Sequence, residues 1–357
     1  MIKRLDYIEG IRGWAALVVL VFHFTRETFG ASFPVYHSIW LHFLLDGPLA
    51  VYVFFILSGD ALSTTFLKTQ DFSFLARMVV KRYFRLAGPI LAACLLVYIL
   101  MKAGLHFNRE AAVIVQAEDW LGAFINFPPS LLRAIKYGLL DVFFEHSKEK
   151  SYVPFLWPMS IELYGSFMLF AFLAIFTKLK RPLMLLLIAA SWLTVLGSFF
   201  ALFFVGLCFA AWRDLGVFNR PLCVRWSTPL IIIAIVADSI LMELNAKPPQ
   251  ASILIAVCLV FGLYSNQNCL TFFSNKLSRY LGRISFPLYL THFAVLISFT
   301  SWAILQLVEF NRFDFAHSLA VATASGALAL GLAELFTRVE RRYLMTLNQV
   351  VSRAVRS

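Results

Sequence analysis

Arg12 and His23 stand eleven positions apart in GIRGWAALVVLVFHFT (residues 10–25), a run that is otherwise mostly apolar or small. A guanidinium is a fixed cation that forks onto phosphate or carboxylate oxygens, and an imidazole gives or takes a proton near neutral pH. In an α-helix eleven residues advance about 16.5 Å and turn about three turns plus 20°, so the two side chains share a face. Ionisable groups inside a membrane helix default to function. Arg12 snorkelling to lipid phosphates and His23 bonding a neighbouring carbonyl are the plainer readings of each residue alone.

Two further stretches carry candidate chemistry. RMVVKRYFRLAGP (77–89) gathers Arg77, Lys81, Arg82 and Arg85 ahead of an apolar run. Arg82 and Arg85, three apart, share a helical face and can fork onto phosphates together, with positive-inside anchoring as the alternative. LWPMSIELYGSF (156–167) brings Trp157 and Glu162 into another apolar run. By helix rise Glu162 lies about 7–8 Å and His23 about 12 Å below the outer membrane surface, where a carboxylate–imidazole pair can form. A Glu paired with an Arg is the competing arrangement.

The elements that must position these residues are membrane helices. The 357-residue chain is 60% hydrophobic and 14% charged, with a mean hydropathy of +0.78, too few charges to cover a soluble protein of this length. Its apolar runs reach about 15–22 residues without strict alternation, which favours helices over a β-barrel. The net charge of +11 reads as positive-inside bias, and no nucleic-acid partner is expected. The five cysteines, Cys94, Cys208, Cys223, Cys258 and Cys269, form no CxxC pair, so neither a metal site nor a disulfide framework is expected. Lys3 and Arg4 imitate the start of a signal peptide, but Arg12, His23 and Arg26 interrupt the run, which reads as a retained first helix.

Ten spans follow, at about 11–29, 40–58, 84–102, 157–177, 182–197, 199–212, 228–244, 250–265, 284–305 and 316–337. Threaded from a cytoplasmic N-terminus, they make every cytoplasmic turn basic and put both termini inside. The expected fold is an all-α polytopic membrane helix bundle of about ten transmembrane helices. One transmembrane domain occupies 1–345, with an amphipathic or re-entrant outer-face segment at about 103–156. A short basic cytoplasmic tail occupies 346–357.

The order of these pieces resembles the acyltransferase-3 family of integral membrane acyltransferases. RGWAALVVLVFH (12–23) matches the family's opening Arg and His, and FFILSG (54–59) matches its second-helix ending. RYFR (82–85) matches its RxxR, and WPMSIE (157–162) its Trp followed five residues on by Glu. GRISFPLYLTH (282–292) matches a later pattern, and Glu340 in RVERRYL matches a terminal Glu. The resemblance covers nearly the whole chain. It implies a bacterial inner-membrane O-acyltransferase that moves an acyl group, acetyl being the expected one, from cytoplasmic acyl-CoA to a hydroxyl of an envelope glycan or glycolipid, without a metal. Membrane lipids are the remaining partners.

On that resemblance Arg12, Arg82 and Arg85 hold the CoA phosphates, and the pantetheine arm runs along the first helix. His23 is a general base or a covalent acyl relay. Glu162 orients and stabilises its imidazole, Trp157 stacks on a sugar, and His292 stands near the thioester path. Asp60 follows Ser-Gly where the family often has an aromatic or aliphatic residue. Tyr52 stands where an acidic residue is common, with Asp46 six positions earlier, and Pro158 stands where a small polar residue is common. These departures bear on the acceptor. A transporter or flippase of a lipid-linked or acylated envelope component is the alternative, although the inverted repeats and paired broken helices of transporters are missing from the sequence.

Overall fold

The computed structural model describes residues 5–354, with side chains described as far as Val351. Lys3 and Arg4 of the first basic turn, and residues 355–357 of the expected tail, lie outside the described residues. The secondary structure of the described residues is entirely helical.

α1 (Asp6–Phe22) carries Asp6 and Glu9 in its first turn, where carboxylates complement the positive helix end, and it runs into a π turn at His23–Glu27. Three 3₁₀ turns between Pro34 and Leu45 lead to Asp46. Its carboxylate accepts the Leu49 N–H at 2.7 Å and caps α2 (Gly47–Thr69), with Pro48 in the first turn. The second span expected at 40–58 is therefore displaced along the chain. Asp46 starts the helix, and Gly59 and Asp60 do not end it.

α3 (Phe72–Lys102) begins well before the expected residue 84, because RMVVKRYFR is itself helical. α4 (Asn108–Val115), α5 (Leu131–Lys136) and a π turn at Tyr137–Asp141 running into α6 (Val142–Phe144) build most of the segment expected at about 103–156. Next come α7 (Pro158–Phe176), α8 (Pro182–Val195), α9 (Phe200–Asp214) and α10 (Pro221–Glu243). α11 (Pro249–Ser265) and α12 (Gln267–Phe273) follow, then α13 (Lys276–Val295). A further π turn at Leu296–Thr300 joins α13 to α14 (Ser301–Glu309), and α15 (Phe315–Ala354) closes the described chain.

Among the described residues seven helical segments are long and apolar enough to cross a membrane. α11 and α12, bent by 91° at their junction, form one further broken span, and α8 is a shorter apolar helix. The protein is an integral membrane protein built as an all-α helix bundle. Each of the ten expected spans falls on a helix, although α8 with 14 residues and α9 with 15 are short for a hydrocarbon core of about 30 Å. α15, at 40 residues, is about 60 Å long, so the span expected at 316–337 is only part of it. The tail expected from 346 continues that helix to Ala354.

The chain forms two compact units, and α1, α3, α7 and α13 each pass from one to the other. The first holds α1 up to Ala15, His42–Arg82 and Ile161–Arg283; the second holds Ala16–Leu41, Tyr83–Ser160 and the chain from Ile284. In the first unit α2 and α9 meet backbone to backbone. A Cβ on Gly59 would lie 2.2 Å from the Phe203 oxygen, and one on Gly206 would lie 2.2 Å from the Ile56 oxygen. Only glycine permits that crossing, the close approach that small residues give membrane helices. In the second unit α15 buries Ser318, Ala322, Ser325, Ala329 and Ala333, a stripe at helical spacing, and the Thr300 hydroxyl donates to Ser325 at 2.8 Å. The π turns leave carbonyls outside the regular ladder, and hydroxyls five residues on fill two of these gaps. Thr28 donates to the His23 carbonyl at 2.6 Å, and Ser301 donates to that of Leu296 at 2.7 Å.

Candidate functional site

In the second unit α1 delivers His23 at the point where its α-helix becomes a π turn, a distortion frequent at functional sites. The imidazole stacks on Phe155, with ring centroids 3.9 Å apart and planes 3° apart. His292 lies alongside at 5.3 Å and 19°, and Trp120 at 5.8 Å and 18°. Phe155 is fixed from behind, because the Tyr289 hydroxyl donates to its carbonyl. The result is a wall of nearly parallel rings drawn from α1, α13 and the connections before α7.

The polar edges of these imidazoles decide what the wall can do. His292 is 1% exposed, and its Nδ1 lies 3.1 Å from the Leu288 carbonyl one turn back. A carbonyl only accepts, so this contact assigns the proton to Nδ1 and leaves a lone pair on Nε2. That Nε2 is buried without a hydrogen-bond partner, and so is Nδ1 of the half-buried His23. Buried polar atoms are nearly always partnered, so two orphans on adjacent rings call for an explanation.

The first unit holds a second cluster of a different kind. Glu162 on α7 forms an ion pair with Arg82 on α3 and accepts the Ser58 hydroxyl at 2.6 Å. Arg12 on α1 donates to the same Ser58 at 3.2 Å. Arg82 Nε donates to Ser166 at 2.8 Å, and Ser166 donates to the Glu162 carbonyl at 2.5 Å. Arg82 and Glu162 are both buried. Two cations face one carboxylate, so the cluster keeps one positive charge, and Arg12, half-buried and bonded only to a neutral hydroxyl among the described residues, carries it.

The other acidic residues singled out from the sequence are countered within the same unit. Asp60, fully buried, accepts from Nη1 and Nη2 of Arg213 at 2.7 Å each and from the Tyr264 hydroxyl at 2.8 Å. A bidentate guanidinium explains how α2 carries an aspartate at that position. Lys247 bridges Asp46 and the fully buried Asp238. Burial opposes the Lys247 charge, but Asp46 and then Asp238 outweigh it and hold the ammonium above the ordinary lysine range.

The structure therefore regroups the expected residues. Arg12, Arg82 and Glu162 come together through Ser58, and His23 comes together with His292. Glu162 is engaged by a guanidinium and a hydroxyl, the arrangement that competed with the expected carboxylate–imidazole pair. Arg82 and Arg85, expected together on phosphates, lie in different surroundings. Arg82 is buried and bonded to Glu162 and Ser166, while Arg85 is exposed on α3 and its charge acts on Glu340 of α15. Trp157 is 38% exposed at the start of α7. Trp120 and Phe155 escaped the sequence reading because they lie in connections with no periodic signal. Ser58, a lone hydroxyl before Gly59 in an apolar run, was the one quiet clue to the first cluster.

Among the described residues no group of three or more His, Cys, Asp or Glu side chains is gathered as a metal site. A family model described as an acyltransferase domain matches residues 5–338. No curated protein and no solved structure matches the chain.

Proposed function

The chain belongs to the acyltransferase-3 family and is a membrane acyltransferase, and from that premise we propose that it transfers an acyl group, with acetyl the expected one, from acyl-CoA to a hydroxyl of an envelope glycan or glycolipid. The observation that carries this reading is His23, an imidazole within a membrane helix with one face on Phe155 and a buried ring nitrogen without a partner. In the proposal His23 acts on the reacting acyl group as general base or covalent relay. Arg12, with its uncountered charge, and the exposed Arg85 are the proposed contacts for the CoA phosphates. Arg82 and Glu162 serve as positioning residues that hold Ser58 and, through it, Arg12. Trp157 remains the proposed sugar platform.

The basic turns support a bacterial inner-membrane setting with both termini and the donor on the cytoplasmic side. The proposed orientation makes a cysteine replacing the exposed Lys148 label from outside intact cells, and one replacing the exposed Arg181 stay unlabelled. Labelling at position 181 overturns the orientation.

The decisive test is turnover of acetyl-, succinyl- and longer acyl-CoA by the purified protein in detergent. Release of CoA with appearance of an O-acyl product is expected. A flippase or a binding protein releases none, and that result overturns the proposal. Arg85→Gln is expected to weaken acyl-CoA binding by up to about 1.5–3 kcal/mol, the range for a hydrogen bond to a charged group. Unchanged binding returns Arg85 to a topology signal.

A further inference from the structure

Resting on the acyl-transfer reading, we infer that His292 is a catalytic residue, the base that takes the acceptor's hydroxyl proton through Nε2, while His23 carries the acyl group. The Leu288 carbonyl, 3.1 Å away, occupies Nδ1 and fixes the tautomer whose Nε2 bears a lone pair. The groups packed around the ring offer that lone pair nothing. Phe24, Phe155 and His23 present ring faces or edges, and the Tyr289 hydroxyl donates to the Phe155 carbonyl. A lone pair on a side chain 1% exposed, left without a donor beside a second orphaned imidazole nitrogen, is complementary to one O–H group brought in by a substrate.

The division of labour also follows from chemistry. In acyl-His23 the acylated nitrogen has no free lone pair, and the lone pair of the other ring nitrogen points away from the acyl carbon. Neither can take a proton from an oxygen attacking there, and a relay by His23 calls for a second base beside that carbon. In the first step a His23 nitrogen attacks the thioester carbonyl, the C–S bond breaks, and the CoA thiolate leaves with the proton that the imidazole gives up. In the second step the acceptor oxygen attacks the acyl carbon, its proton passes to Nε2 of His292, and the C–N bond to His23 breaks. His23 regains a proton from His292, which restores both rings. The sum is acyl-CoA plus alcohol to ester plus CoA thiol, and no redox partner is needed.

A nucleophile that needs no base separates this role from a structural one. The full-length protein is supplied with labelled acetyl-CoA and one of three acceptors: water, n-octyl β-D-glucoside or hydroxylamine. Hydroxylamine is unprotonated at neutral pH and attacks without losing its proton first. His292→Gln is expected to slow transfer to water and octyl glucoside by about 10²–10⁴-fold, the usual contribution of a general base. Transfer to hydroxylamine should stay within a few-fold of wild type, and label should accumulate on His23. His23→Ala should lose all three reactions and sets the background. Wild-type transfer to octyl glucoside by His292→Gln overturns the inference. So does equal loss of all acceptors in His292→Gln and His292→Asn proteins that elute as single species and still bind acetyl-CoA, because that pattern marks a structural histidine. If wild-type protein releases no CoA from any acyl-CoA, the acyl-transfer reading itself has failed, and this inference with it.

Discussion

Two clusters of polar groups, one in each unit, differ in one respect that separates architecture from chemistry. In the first, Glu162, Arg82, Ser58, Ser166 and Arg12 form a chain of hydrogen bonds with no buried atom left over. In the second, His23 and His292 lie among aromatic rings, and each keeps a buried nitrogen without a partner. Both sets are ionisable groups in membrane helices, and composition alone ranks them equally as functional candidates. Satisfaction ranks them differently. A closed network fixes helices in register, whereas unpartnered ring nitrogens among packed aromatic rings are complementary to a polar group from outside the chain.

The largest effect that tests this contrast is at His23. His23→Ala and His23→Gln are both expected to lower acyl transfer by at least roughly 10²–10⁴-fold while the protein folds and inserts, since neither side chain shuttles protons at neutral pH. Rates measured alongside elution profiles check this. Normal transfer by His23→Gln would make the ring wall a packing feature and erase the contrast from one side.

The other side is tested by stability. Arg82→Leu leaves Glu162 buried with the Ser58 hydroxyl and only the more distant charge of Arg12 behind it, and loss of one partner of a buried pair costs up to roughly 3–5 kcal/mol. Replacing both, Arg82→Leu with Glu162→Leu, removes the uncompensated charge and is expected to recover most of the lost melting temperature. If the single variant melts like wild type, the cluster is not architectural and Glu162 returns as a candidate for chemistry. Asp60→Asn is expected to cost less, about 1–3 kcal/mol, because the amide still reaches Tyr264 and one arm of Arg213 while the guanidinium loses its counter-charge. Denaturation of the purified variant measures it.

Much of the fold was legible in the sequence because a bilayer imposes a strong one-dimensional signal. Each expected span falls on a helix, and the errors occur where hydropathy and helix formation part company. α2 extends past Asp60 because Arg213, far away in sequence, neutralises it, and α3 and α15 run on through charged stretches that are good helix formers outside the hydrocarbon. The site was legible only along single helices. The shared face of Arg12 and His23 follows from the pitch of one α-helix, which α1 preserves as far as Phe22. Which carboxylate meets which cation depends on how helices pack, and matching depths did not reveal that Glu162 would meet Arg82. Ring stacking by Trp120 and Phe155 left no trace in any periodicity.

The smallest expected effect sharpens the comparison by removing burial from it. Asp314 and His317 are charged or polar and partnered like the first cluster, but they are exposed, at the start of α15. The His317 backbone N–H donates to the Asp314 carboxylate at 2.9 Å, and the His317 ring lies 2.8 Å from its other oxygen. The backbone bond first and the ring second hold the Asp314 carboxyl below the ordinary carboxylate range. A depressed folded value gives a contribution that is present above the unfolded carboxylate range and lost as pH falls through the folded value. Because solvent screens the pair, that contribution should appear only as fraying of the first turn, not as a change in global melting or in transfer rate. Asp314→Ala is expected to speed amide exchange at His317 at neutral pH, and Asp314→Asn, which still accepts the N–H, should keep the protection but abolish its dependence on pH in the acid range. A drop in global melting temperature with Asp314→Ala comparable to that of Arg82→Leu would show that partnering alone, without burial, makes a polar cluster architectural, and the distinction between the two units would have to be redrawn.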